Sequence, residues 1–136
     1  MDESLLRMKY AFALVFVKRI VEADGVIHPE EAKYCTQWFP NELLIRLSLH
    51  TKKMLLNAYV QSLDVLPDVL DPGQKQEVFG LLLGACLADD YLDFREFGIL
   101  EAAAKVLRID NEEMFALIDF FLDADIPSES DAREDR

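Results

Sequence analysis

Apolar residues recur at helical spacing along almost the whole chain, with good helix formers between them, and strand signals are nearly absent. A chain written this way buries its apolar stripes helix against helix, so the pattern predicts an all-α fold. Punctuation divides it into six or seven short helices. The first is predicted from Glu3 to Ala23, stopping at Asp24-Gly25, where glycine can take the left-handed conformation of a helix end. His28-Pro29-Glu30-Glu31 opens the second, since proline suits the first helical position and acids suit the first turn. That helix is predicted to stop at Phe39-Pro40. Asn41 to Val65 reads as helix, with a break near His50-Thr51 where the threonine can cap a new start, and Leu66-Pro67 is expected to end it. Asp71-Pro72 then opens an apolar helix reaching about Ala88. Asp93-Phe94-Arg95-Glu96 has capping-box spacing and leads a helix to about Leu107. Asp110 to Glu113 repeats the signal before a last helix, Asn111 to about Leu122.

At 136 residues the chain is one domain by size, long enough for a core without disulfides or a structural metal. Residues 1–123 are expected to form the helical domain and 124–136 an acidic, disordered tail. The net charge of −12 bounds the partners. It repels nucleic-acid phosphates and anionic lipid and favours cations and basic proteins. Residues 123–136 carry six acids and two arginines, so most of the negative charge belongs to the folded part.

Two cysteines, Cys35 and Cys86, lie in apolar runs without a CxxC partner, which points to buried free thiols and a reducing cytoplasm. Tyr10 to Val17 is continuously apolar but too short to span a bilayer, and it follows Asp2 and Glu3, so it reads as a buried helix rather than a targeting signal. Val78 to Ala88 is also far short of a span. Its Gly80-x-x-x-Gly84 spacing is expected to let a neighbouring helix approach closely. No direct membrane insertion is expected.

Ala23-Asp24-Gly25-Val26-Ile27-His28-Pro29-Glu30-Glu31 can be set against Ala88-Asp89-Asp90-Tyr91-Leu92-Asp93-Phe94-Arg95-Glu96. Alanine, aspartate and the final glutamate match, and Ile27 matches Leu92 in character. Each segment follows an apolar helix and precedes an amphipathic one, which suggests two pseudo-repeated helix–turn–helix units packed as one orthogonal-type bundle. This doubled pattern, with the Asp71-Pro72 helix start between its copies, resembles the TerB-like domain. That family includes the tellurite-resistance TerB proteins and the N-terminal region of a membrane-anchored J-domain co-chaperone. The resemblance runs from about Tyr10 to Phe121 and is strongest at Leu66-Pro67, Asp71-Pro72, Ala88-Asp89, Glu96 and Leu107-Arg108-Ile109. It implies an all-helical fold, acidic turns proposed to bind metal, and a stress-response role. By position, the family's acidic residues fall on Asp24, Glu31, Asp89 and Glu96. Asp90 departs from the pattern, standing where glycine is expected, although aspartate tolerates a left-handed turn better than most residues.

The same segments match the second half of an EF-hand loop, in which Asp-Gly-x-Ile-x-x-x-Glu ends in a bidentate glutamate. In the second copy Asp93 adds a further carboxylate. The first half is missing, because its leading ligand position falls on Ile20 or Ala85, and an apolar side chain supplies no oxygen. What survives is a weaker site for a divalent cation such as Ca²⁺, Mg²⁺ or Mn²⁺, with Asp24 and Glu31 in one turn and Asp89, Asp93 and Glu96 in the other.

Capping offers a competing account of the same acids. Glu31 and Glu96 each stand three residues after an N-cap, His28 or Asp93, where a carboxylate closes a capping box without any ligand. Against this, Glu31 shares a helical face with Cys35 and Trp38, and Glu96 with Leu100, Ala103 and Leu107, so both point partly inward. Asp24 and Asp89 stand near helix C-termini, the wrong end for a negative charge. Both accounts stay open.

Nothing marks an enzyme. The chain has no nucleotide-binding glycine loop, no Gly-x-Ser-x-Gly, and no cysteine with a plausible histidine partner. His28 and His50 stand alone, which disfavours a transition-metal site. Trp38, Phe39, Phe115, Phe120 and Phe121 sit at helical spacing and are expected in the core rather than in a binding groove. Two function classes remain: a non-enzymatic TerB-like module holding a divalent cation, or an acidic interaction domain docking a basic or membrane-associated protein.

Overall fold

The computed structural model describes residues 2–23, 25–88 and 93–125, the last three by backbone alone. Among these residues there are seven helices and no strand: α1 (Glu3–Val21), α2 (Pro29–Trp38), α3 (Asn41–Arg46), α4 (Lys52–Val69), α5 (Pro72–Leu87), α6 (Phe94–Val106) and α7 (Asn111–Asp125). The all-α expectation holds. None of these helices is long and apolar enough to cross a membrane.

The cap residues start the helices much as their chemistry requires. The Asp2 side chain accepts from the Ser4 N–H at 3.0 Å, and Thr51 Oγ1 accepts from the Met54 N–H at 3.2 Å. Asp71 and Gln74 bond reciprocally in a capping box ahead of Pro72, at 2.8 and 3.0 Å. Each such cap satisfies backbone N–H groups that the first helical turn leaves without partners. Gly25 has a left-handed φ of +80°, as expected of it, but α1 has already ended at Val21 with Glu22 as its cap, short of the Ala23 that the sequence suggested.

Two helices end in an unexpected way. Ser48 and Arg108 have φ +58° and +61°, the left-handed region usually left to glycine. At both ends the backbone closes a Schellman motif. Leu49 N–H bonds Leu44 O at 2.7 Å after α3, and Ile109 N–H bonds Ala104 O at 2.8 Å after α6. Leu47, Leu49, Leu107 and Ile109 are all buried, so apolar residues on both sides of each stop hold it in place. Arg7 adds hydrogen bonds to the Leu47 and Ser48 carbonyls, tying α1 to the end of α3. Ser48→Gly removes the left-handed penalty and keeps the backbone bonds. It is expected to stabilise by about 0.5–1 kcal/mol, read as a higher urea midpoint.

One helix end departs from the sequence expectation. Leu66-Pro67 does not stop α4, which runs on to Val69. Proline lacks an N–H and so withholds one bond from the preceding turn, yet this turn is the last of the helix. Leu70 N–H still bonds Leu66 O at 3.1 Å, and Leu66, Pro67 and Leu70 are buried. Burial of that apolar end carries the helix past its proline.

The core lies around α1. Its stretch Ala11–Val17 is buried on every side, as an apolar helix with no polar face must be. α1 packs along α4 and across α5, and also touches α6; α5 in turn packs against α2, α6 and α7. Phe12 and Phe16 of α1 meet Tyr59 of α4 at ring-centroid distances of 6.3 and 6.1 Å, with the Arg19 guanidinium lying over the Phe16 ring at 4.9 Å. Phe79, Leu82 and Leu83 of α5, Leu100 of α6 and Met114 of α7 complete the fully buried centre.

Candidate functional site

The acidic turns join α1 to α2 and α5 to α6. Both second helices begin in the same way. The preceding residue is extended, with φ −81° and ψ 148° at His28 and φ −80° and ψ 148° at Asp93. Three residues on, a glutamate turns back: Glu31 Oε1 accepts from the His28 N–H at 3.1 Å, and Glu96 Oε1 from the Asp93 N–H at 3.0 Å. Both glutamates are buried, Glu31 at 1% exposure and Glu96 at 6%. The inward orientation expected from helical phase is therefore correct for both, and so is the capping geometry. The two readings of these acids are not exclusive at the level of position.

Asp93 is engaged locally. Its Oδ1 accepts from the Arg95 N–H at 2.7 Å and Nε at 3.2 Å, and its Oδ2 from Arg95 Nη2 at 3.1 Å. Those hydrogen bonds from the Arg95 side chain, and then from its backbone, hold the carboxyl below the usual aspartate range. Of the five candidate ligands, Asp24 and Asp89 lie outside the described residues. The other three fall one in the first turn and two in the second. Among the described residues no three histidine, cysteine or acidic side chains gather as a metal-binding group.

Beside the first turn, Cys35 is half-buried, and Cys86 of α5 is buried; neither is in a disulfide. Burial pushes the Cys35 thiol up, the Glu31 charge pushes it further, and Lys18 pulls against both. Cys35 is thus expected to alkylate more slowly with iodoacetamide at pH 8 than an exposed cysteine, with Glu31→Gln faster and Lys18→Ala slower than the parent. Because the folded pKa lies above the unfolded one, the matching stability term is intact below about pH 8.5 and fades as pH rises through the folded value. Equal alkylation rates in all three proteins would show that the Glu31 charge does not reach the thiol.

An apolar hollow lies elsewhere, on a half-buried face of α5. The hollow, of about 560 Å³, has Gly80, Leu81 and Gly84 as its floor. Leu6 and Tyr10 of α1, Tyr34 and Trp38 of α2 and Phe121 of α7 line it as well. Lys9 and Glu77 are the charged residues lining it. The glycines make room for the walls. A Cβ at Gly80 would come within 2.9 Å of Phe121 Cζ, and one at Gly84 within 2.8 Å of Tyr34 Cζ. Tyr34 is further fixed by donating its hydroxyl to the Leu81 carbonyl at 2.6 Å. The Gly80-x-x-x-Gly84 spacing thus does admit close neighbours, and they are aromatic rings of α2 and α7. A second hollow of about 410 Å³, lined by Gly73, Gln76, Leu117 and Phe120, shares Glu77 and Phe121 with the first.

This corrects the placement of the aromatic residues. Phe39 is buried and Phe121 half-buried, but Trp38 is 44% exposed, Phe115 51% and Phe120 65%. Helical spacing places residues on a common face; whether another helix covers that face is settled by packing. Trp38 and Phe120 sit at the ends or outer sides of α2 and α7, which meet α5 without being covered themselves. Tyr10 and Tyr34 carried no local signal of this role, because the hollow unites residues from four helices. The glycine pair was the one clue in the sequence.

Lys18, Arg19, His50 and Lys52 line a separate hollow of about 540 Å³ between α1 and the start of α4, which shares no residue with the aromatic one. Compared with protein-family models, curated proteins and solved structures, the chain matches none.

Proposed function

We propose that this chain is a non-enzymatic, TerB-like helical module that binds another protein through the aromatic hollow on α5. The single observation that carries the reading is the half-exposed Trp38, standing with Tyr10, Tyr34 and Phe121 around an apolar concavity. Large rings left in water beside a concave apolar floor are the usual anchors of a protein interface. On this reading Glu31 and Glu96 are capping-box acceptors, and the acidic turns are structural. The TerB-like assignment rests on the duplicated acidic turns and the helix starts quoted above, and the stress-response role rests on that family alone.

The test is to compare the parent with Trp38→Ala as immobilised bait, in low and high salt and with chelator. Partners retained by the parent at low salt, lost by the variant and indifferent to chelator support the reading, provided both baits unfold alike. Identical retention by the two baits would sink it.

A second reading keeps a divalent cation at the acidic turns. It is favoured by two buried carboxylates at equivalent positions, each closing a segment that holds a further aspartate. It predicts that Ca²⁺, Mg²⁺, Mn²⁺ or Zn²⁺ at about a hundredfold over Kd stabilises by roughly 2.7 kcal/mol against chelator. The gain should vanish in an Asp24→Asn/Glu31→Gln/Asp89→Asn/Glu96→Gln variant. A parent indifferent to all four ions ends the cation reading and leaves the interaction reading untouched.

A further inference from the structure

The hollow between α1 and the start of α4 joins an apolar floor to a basic rim. Helical phase puts Leu14, Val15, Lys18, Arg19 and Glu22 on the side of α1 that lines it. Leu49 and His50 come from the connection between α3 and α4, and Lys52 and Leu55 from the first turn of α4. The buried side chains among these, Leu14, Val15, Leu49 and Leu55, are all apolar. Lys18, Arg19, His50 and Lys52 are exposed. At about 540 Å³ the hollow falls within the usual size of a small-molecule site, roughly 300–1,000 Å³.

The charge of this rim runs against that of the chain. Lys18, Arg19 and Lys52, with His50 able to add a further positive charge, face Glu22 as the one acid lining the hollow. The chain as a whole has 26 acids against 14 lysines and arginines. Among the described residues no ion pair ties up any of these four basic side chains. Arg19 is held in place by the rings beneath it, its guanidinium 4.9 Å from the centre of Phe16 and 5.4 Å from that of Tyr59. The acids elsewhere on the surface act through water, and at physiological salt their field decays over about 8 Å. A small anion inside the hollow is therefore governed by the bases that line it, whereas an extended anionic bilayer also meets the acids of the body.

We infer that this hollow binds a small amphipathic anion, a carboxylate or phosphate carried on an apolar body. Its head lies among Lys18, Arg19 and Lys52 and its body against Leu14, Leu49 and Leu55. The site shares no residue with the aromatic hollow, so it stands or falls apart from the interaction reading.

The experiment follows the backbone amide resonances of the ¹⁵N-labelled full chain while octanoate or octyl phosphate is added below its micelle concentration. The expected result is a saturable shift at Val15, Leu49 and Leu55, with acetate and octyltrimethylammonium giving none at the same concentrations. Lys18→Glu/Lys52→Glu should weaken binding about tenfold, and Glu22→Gln should tighten it about twofold. All three side chains are exposed, and parallel unfolding curves confirm that each variant is folded. Either anion supports the site, and the tighter of the two identifies the head group. Octyltrimethylammonium binding as well as octanoate, or affinity unchanged in the double variant, overturns the selection for an anion. Acetate binding as tightly as octanoate overturns the apolar half of the site. Shifts gathered around Tyr34 and Trp38 instead overturn its location. Binding to phosphatidylglycerol vesicles without a response to either free anion overturns the small-molecule ligand in favour of a membrane surface.

Discussion

Gly84→Leu is expected to destabilise the protein by about 2–3 kcal/mol and to abolish whatever the α5 hollow binds. Even a Cβ at this position would push into the Tyr34 ring, and the larger side chain would displace it entirely. Overpacking of this kind costs about 1–3 kcal/mol, and loss of the Tyr34 bond to the Leu81 carbonyl adds about 0.5–1.5 kcal/mol. Leucine recovers up to about 1 kcal/mol through its better helix propensity. Gly98 provides the contrast. It lies in α6 with nothing within 4 Å of a built Cβ, so Gly98→Ala is expected to stabilise by about 0.5–1 kcal/mol. Urea unfolding of both variants, together with Gly84→Leu/Tyr34→Ala, tests the cause. The double variant should regain part of the loss, since the obstructing ring is gone. Similar behaviour at positions 84 and 98 would mean that the ring of Tyr34 yields freely and does not shape the hollow.

The second large effect concerns the buried glutamates. Glu31→Ala and Glu96→Ala each remove the acceptor for a partly buried N–H, at His28 and at Asp93. They also remove a negative charge from a helix N-terminus. Together these losses amount to about 1–3 kcal/mol per site, and the pair should cost roughly 3–5 kcal/mol if the two turns act independently. Glutamine keeps an acceptor oxygen at the same reach. Glu31→Gln and Glu96→Gln are therefore expected to lose less than about 1 kcal/mol each if capping is their role. The series separates the two readings of the acidic turns. A glutamine variant as unstable as the alanine one would show that the charge itself is needed. That result would turn attention to a cation or a basic side chain at the turn.

Much of the architecture was legible locally. Thr51, Asp71, Asp93 and Asp110 announced helix starts, and at each of them the side chain accepts a backbone N–H within three residues. Gly25 takes the left-handed conformation expected of it, although α1 ends before it, at Val21. Helical phase turned Glu31 and Glu96 partly inward, and both are buried, although Trp38 on the face of Glu31 is exposed. The stops at Ser48 and Arg108 were less readable, because neither residue type favours a positive φ and the buried leucines and isoleucine around them impose it. Trp38 and Phe120 were assigned to the core on a pattern that fits core and groove wall equally well.

The division has a physical basis. Caps, capping boxes and helical phase depend on residues within about four positions of one another, so the sequence by itself determined the helices, most of their starts and the inward face of each acidic turn. Whether a helix continues past Pro67, whether Trp38 faces protein or water, and whether Tyr10, Tyr34, Gly84 and Phe121 share one hollow depend on surfaces brought together from distant helices. Those were decided by the tertiary structure alone, since the free energy of apolar burial belongs to the pair of surfaces that meet and is written in neither of them singly.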